Sequence, residues 1–139
     1  MLYIKGQLIR LIVMLAREYV SSNYYENNKD KMQIYYKTII DCIQFVNENF
    51  TKDLKIDTMS KQFTLSRTYF CELFKKFTGK TFNEYINDLR INHSKRLIRD
   101  SNLSITEIAL SSGFSDAACF CRKFREQTGS SPSSYRKTQ

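Results

Sequence analysis

The chain has 139 residues, 42% hydrophobic and 26% charged, the proportions of a globular domain with at most an appendage rather than of a disordered chain. Lys and Arg number 22 against 14 Asp and Glu, and the resulting net charge of +8 favours a polyanionic partner. Cys42, Cys71, Cys119 and Cys121 form no Cys-x-x-Cys unit and no His-x-x-x-His accompanies them, so zinc is poorly supported and no cofactor is expected; reduced thiols in a cytoplasmic protein are the simpler reading.

The first apolar stretch, Leu2 to Val20, is interrupted by Lys5, Arg10 and Arg17, and its longest uninterrupted run is Leu11 to Ala16. That run falls far short of the ~20 residues that span a bilayer, and no cleavage site follows it. Leu8, Ile12, Leu15 and Tyr19 instead form one stripe of an amphipathic helix over residues 4–20, a surface open to dimerisation. Residues 21–33, rich in Asn and Ser, read as a polar linker.

From Ile34 the pattern is helical, and the expected fold is all-α. Tyr36, Ile39, Ile40, Ile43, Val46 and Phe50 give the first apolar face, and Leu54, Ile56, Met59 and Phe63 mark a short second helix. Ser66 is placed to N-cap a third helix that ends near Thr78, with Gly79 terminating it in the left-handed conformation. These elements make a helix-turn-helix over about residues 54–79. A longer helix follows over 82–99, with Tyr85, Ile86, Leu89 and Leu97 as its apolar stripe, and Asp100-Ser101-Asn102 breaks it. A second helix-turn-helix spans about 104–129. Its signals are the capping-box spacing of Ser104 and Glu107, Ile105, Ile108 and Ala109 inward, Gly113 in the turn, Asp116 as N-cap and Gly129 as terminator. Pro132 then opens a short final helix holding Tyr135.

The two motifs repeat one another. Phe70-Cys71-x-x-Phe74 followed by Thr78-Gly79 and Tyr85 returns as Phe120-Cys121-x-x-Phe124 followed by Thr128-Gly129 and Tyr135. In a basic chain, one supersecondary unit used twice suggests two grips on one nucleic acid. On the first candidate recognition helix Phe70, Leu73, Phe74 and Phe77 share an arc, leaving Thr68, Cys71, Glu72 and Lys75 opposite. On the second, Phe120 and Phe124 point inward and Ala118, Cys121, Arg122 and Arg125 outward. Ala118 lets the helix approach bases and can touch a thymine methyl, while Arg122 has the fork geometry for guanine O6 and N7. Lys75, Lys76, Lys123 and Arg125 either contact phosphate or stand as solvated charge.

Ile105-Thr106-Glu107-Ile108-Ala109-Leu110-Ser111-Ser112-Gly113-Phe114-Ser115-Asp116, followed by Phe120 to Arg125, Gly129, Ser131-Pro132 and Tyr135-Arg136, closely resembles the second helix-turn-helix signature of AraC/XylS-type transcription regulators. Leu54 to Tyr85 resembles the first motif and Tyr85 to Leu97 the helix that joins them, so the resemblance covers a DNA-binding domain of about residues 34–137. It implies a cytoplasmic transcription regulator, more commonly an activator, whose partner is double-stranded DNA. RNA polymerase and a second copy of the chain are further partners it admits. The implied reading positions fall on Thr68, Cys71 and Glu72 in the first motif and on Ala117, Ala118, Cys119 and Arg122 in the second, and Arg67, Lys75, Cys121 and Arg125 beside them are further candidate DNA contacts. The chain departs from the pattern with Ser60 and Ser94 for alanine, Thr64 for the first turn's glycine, and Cys119 for a frequent aromatic residue. Since the family commonly carries a sensing or dimerising domain upstream, residues 1–20 are expected to be the last helix of such a domain.

Two other function classes compete. The basic helices could serve as a protein-interaction module for an acidic partner, and a thiolate from Cys71 or Cys121 assisted by His93 would make an enzyme. No base or oxyanion element accompanies those thiols at motif spacing, so no enzyme is expected.

Overall fold

The computed structural model describes residue 31 and residues 33–138, and among these every regular element is an α-helix. The expected helix over 4–20, with its stripe Leu8, Ile12, Leu15 and Tyr19, lies outside the described residues, as does the linker up to residue 30. The first described helix, α1, covers residues 33–49. It is followed by α2 (Ile56–Gln62), α3 (Arg67–Thr78), α4 (Phe82–Asp100), α5 (Ile105–Ser111), α6 (Ala117–Thr128) and α7 (Pro132–Lys137). The chain divides into two units between Thr38 and Ile39, and the second unit carries both motifs.

The inward stripe of α1 is Ile39, Cys42 and Val46, all fully buried. Ile40 was expected inward but stands 57% exposed, because it lies about 100° around the helix from Ile39 and Cys42 takes the inward place three residues on. From α3 onward each helix starts where a side chain satisfies orphan N–H groups, whereas α2 follows Lys55 with no side-chain cap. The Ser66 hydroxyl accepts from Tyr69 N–H, Asp116 accepts from Cys119 N–H, and Ser131 accepts from Ser134 N–H. Complete capping boxes form at Ser104 with Glu107, as the spacing predicts, and also at Thr81 with Glu84. In each box the hydrogen bonds to the cap residue hold the glutamate carboxyl below its ordinary range.

The repeat survives folding down to single bonds. Thr78 Oγ1 donates to Phe74 O at 2.8 Å and Thr128 Oγ1 to Phe124 O at 2.8 Å, and each hydroxyl accepts the N–H two residues on. Gly79 and Gly129 then close their helices at φ 75° and 78°. The turns also match, with Leu65 N–H on Ser60 O and Phe114 N–H on Ala109 O. The second turn carries one residue more before its helix, Ser115, whose hydroxyl donates to Asp116.

The left-handed residue of the second turn is Gly113, at φ 92°, while in the first it is Thr64, at φ 56°. A β-branched residue there costs about 1–2 kcal/mol, part of which glycine would return as unfolded-state entropy. Thr64→Gly is therefore expected to raise stability by about 1 kcal/mol, seen in urea unfolding as a higher midpoint at unchanged slope. The other departures cost less, because each buried serine bonds its own helix. Ser60 Oγ donates to Asp57 O at 3.1 Å and Ser94 Oγ to Ile91 O at 2.7 Å.

Two aromatic cores sit at the two ends of α4. In the first, Phe70, Phe74 and Phe82 meet edge-on or tilted at 5.3–5.8 Å, with Tyr85 against Phe74. In the second, Phe120 lies between Phe114 and Phe124, and Phe124 meets Tyr135 at 5.3 Å. Serving both, α4 buries Phe82, Ile86, Ile91, Ser94 and Ile98. The single stripe expected through Tyr85, Ile86, Leu89 and Leu97 is thus corrected in part: Ile86 is buried, the other three are only half-buried, and the buried face turns around the helix as it passes between motifs. Arg136 secures the end of the fold by donating from Nη2 to Leu103 O at 2.7 Å.

Candidate nucleic-acid interface

On α3 the burial of Phe70, Leu73 and Phe74 leaves Arg67, Thr68, Glu72 and Lys75 exposed and Cys71 half-buried. On α6 the burial of Phe120 and Phe124 leaves Ala118, Arg122 and Arg125 exposed, with Ala117, Cys119 and Cys121 half-buried. The outer faces named from the helical period are therefore the solvent faces of two twelve-residue helices. The half-buried cysteines flank the exposed ridge; Ala117 and Cys119 pack against the second core, and so does Cys121, which the helical period placed outward.

The two faces differ in how their arginines are held. Arg67 Nη1 reaches both Asp57 oxygens at 3.1 and 3.2 Å, across to the first turn of α2. Both partners are more than half exposed, so the pair contributes at most about 1 kcal/mol and yields readily to a phosphate. Among the described residues Arg122 enters no ion pair, and its Nη2 lies 4.0 Å from Cys119 Sγ one turn back. Its fork is thus available for a base edge. Asp116, the N-cap of α6, is held below the usual carboxylate range first by Cys119 N–H and then by the Ser115 hydroxyl, so it stays ionised and keeps the helix start fixed.

Sequence reasoning missed the side chains that orient these faces. Arg90, half-buried on α4, donates from Nε to Phe50 O at 2.8 Å and from Nη2 to Lys52 O at 2.9 Å, and its guanidinium lies 5.8 Å from the Phe114 ring centroid. Asp88 accepts from Gln127 Nε2 at 2.6 Å and from the Lys80 ammonium. Beside the 50–52 segment, Gly113 is seated so closely that a Cβ would lie 2.7 Å from both Cα and O of Thr51. His93, weighed as an enzyme's base, packs edge-on against Phe50 at 5.5 Å, and burial followed by Arg96 pushes its imidazole below the ordinary value. Among the described residues no helix is long and apolar enough to cross a membrane.

Comparison with known proteins agrees with this geometry. The family described as "Helix-turn-helix domain" matches residues 59–138. The Msm operon regulatory protein of Streptococcus mutans is 32% identical over 133 residues, covering 95% of this chain and 46% of that protein. The melibiose operon regulatory protein of Escherichia coli K12 is 30% identical over 117 residues, covering 84% of this chain and 38% of that one. The chain thus spans less than half the length of either relative. Among solved structures, the DNA-binding domain of the global transcriptional factor AdpA, in complex with a target DNA, matches with a TM-score of 0.69 at 26% identity, covering 72% of this chain and 90% of that one. A Listeria innocua protein matches with a TM-score of 0.69 at 32% identity, over 73% of this chain and 96% of that one. By its repeated motif, its all-helical fold and these similarities, the chain belongs to the AraC/XylS-type helix-turn-helix family.

Proposed function

We propose that the protein is a cytoplasmic, sequence-specific DNA-binding transcription regulator, by resemblance an activator, that sets α3 and α6 into successive major-groove segments on one face of a duplex. The observation that carries this reading is the pairing of two equivalent recognition helices, alike in length, glycine terminator and threonine lock, on one linking helix. The nineteen residues of α4 span about 28 Å at ~1.5 Å per residue. With the offset to each recognition helix this approaches the ~34 Å of one duplex turn. The exposed faces differ, Thr68 and Glu72 against Ala118 and Arg122, so the two half-sites differ and the target is asymmetric.

Selection from a random DNA pool, followed by anisotropy on the winning duplex over a salt series, tests this. A bipartite asymmetric site is expected, with log affinity falling by about 0.9 per neutralised phosphate for each unit of log salt. Salt-insensitive binding, or a symmetric site, would overturn it, and preference for an acidic protein over DNA would favour the interaction-module reading. Within the selected site, Arg122→Ala is expected to cost about 1–3 kcal/mol and to relax preference at one base pair. A loss equal for all sequences would make Arg122 a phosphate contact instead. Arg125→Ala should lower the salt slope by about 1 without changing base preference.

A further inference from the structure

Asp88 and Arg90 stand two positions apart on α4, and therefore about 200° apart around it. Each grips both halves of the domain. The Asp88 carboxylate takes the Lys80 ammonium on one oxygen and Gln127 Nε2 on the other, at 2.6 Å. Lys80 follows the glycine that ends α3, and Gln127 lies in the last turn of α6. One carboxylate thus ties together the C-terminal ends of both recognition helices. On the other side of α4, Arg90 holds the Phe50 and Lys52 carbonyls, ahead of the first motif, while lying over Phe114, in the turn that leads to α6. That clamp ties the segment entering the first motif to the turn inside the second.

A helix gripped on one side only could rock between its neighbours, whereas grips on opposite sides oppose rocking in both directions. We propose that Asp88 and Arg90 are positioning residues that fix the register in which α3 and α6 meet DNA, and so set the spacing between the two half-sites. This rests on the two-headed reading above. One base pair more or less between half-sites turns the second by about 34° and shifts it by about 3.4 Å. A braced pair of helices cannot follow that change, and an unbraced pair can. Neither residue needs to touch a base, because its effect on specificity passes through geometry.

The test uses duplexes carrying the two selected half-sites at the selected spacing and with one base pair added or removed. Affinity is measured by anisotropy for the unaltered chain, Asp88→Ala, Arg90→Gln and Gln127→Ala. The unaltered chain is expected to lose about tenfold or more for either change of spacing, and Asp88→Ala and Arg90→Gln less than about threefold, with base preferences inside each half-site unchanged. Gln127→Ala, which removes a single exposed partner of Asp88, should fall between them. Variants that keep both their half-site preferences and the full spacing penalty would overturn the proposal. Should Arg90→Gln lose its helical circular dichroism, Asp88→Ala and Gln127→Ala decide the matter by the same criteria. A distinct result, in which the unaltered chain binds one half-site as tightly as two, would overturn the two-headed reading itself.

Discussion

Gly113→Ala is expected to destabilise the domain by about 3–5 kcal/mol, a large part of the 5–15 kcal/mol typical of a folded domain. Two costs combine. At φ 92° an L-residue is strained, by about 1–3 kcal/mol. The new Cβ would also lie 2.7 Å from Thr51 Cα and O and 2.9 Å from its carbonyl carbon. Those are backbone atoms, and the carbonyls on either side of Thr51 are fixed by Arg90, so the obstruction cannot swing aside as a side chain would. Relief requires the 50–52 segment and the second turn to separate, adding about 1–3 kcal/mol of overpacking cost. Gly129→Ala is the control, since its φ is also positive but nothing lies within 4 Å of the added carbon. It should lose only the conformational part, about 1–2 kcal/mol. Urea unfolding of both variants compares them directly, and equal losses would show that the seat on Thr51 yields without cost.

Phe124→Ala should cost about 3–5 kcal/mol through the cavity it leaves. The ring is fully buried, between Phe120 at 5.5 Å and Tyr135 at 5.3 Å, in a cluster that also draws on Ile91, Ile98 and Ile108. Phe74→Ala should cost a similar amount in the first core, where the lost ring meets Phe70, Phe82 and Tyr85. The two clusters occupy opposite ends of α4 and no ring contact joins these two phenylalanines among the described residues, so the pair of losses should add to within about 0.5 kcal/mol. Each single variant should also weaken recognition chiefly at its own half-site. Equal weakening at both half-sites by either variant would mean that the cores are not separable.

Much of this architecture was legible because the signals are local. Ser66, Ser104 and Asp116 act within three residues of themselves, Gly79 and Gly129 need only their own φ, and the phenylalanine pairs declare their inward arc by the helical period. The outer faces of α3 and α6 followed as the complement of that arc. What was not legible depends on how distant segments dock. The carbonyl partners of Arg90 stand 38 and 40 residues earlier in the chain, and of the two partners of Asp88 one, Gln127, stands 39 later, so neither residue carries a local sign of its task in joining the two motifs. Nor did periodicity reveal that α4 changes its buried face midway, since that face is set by two cores rather than one. The capture of Arg67 by Asp57 was hidden for the same reason, because it spans the turn between two helices.

The placement of the thiols has a practical consequence. Cys42 is fully buried, and burial pushes its thiol up to about 12, leaving almost no thiolate for an electrophile. Cys71, Cys119 and Cys121 are partly open and divide between the two recognition helices, one on α3 and two on α6. The natural sequence therefore carries alkylation reporters on both candidate reading surfaces and a silent cysteine in its interior. Mass spectrometry after a brief maleimide pulse, with and without duplex, would show which of the two helices is shielded without changing a single residue.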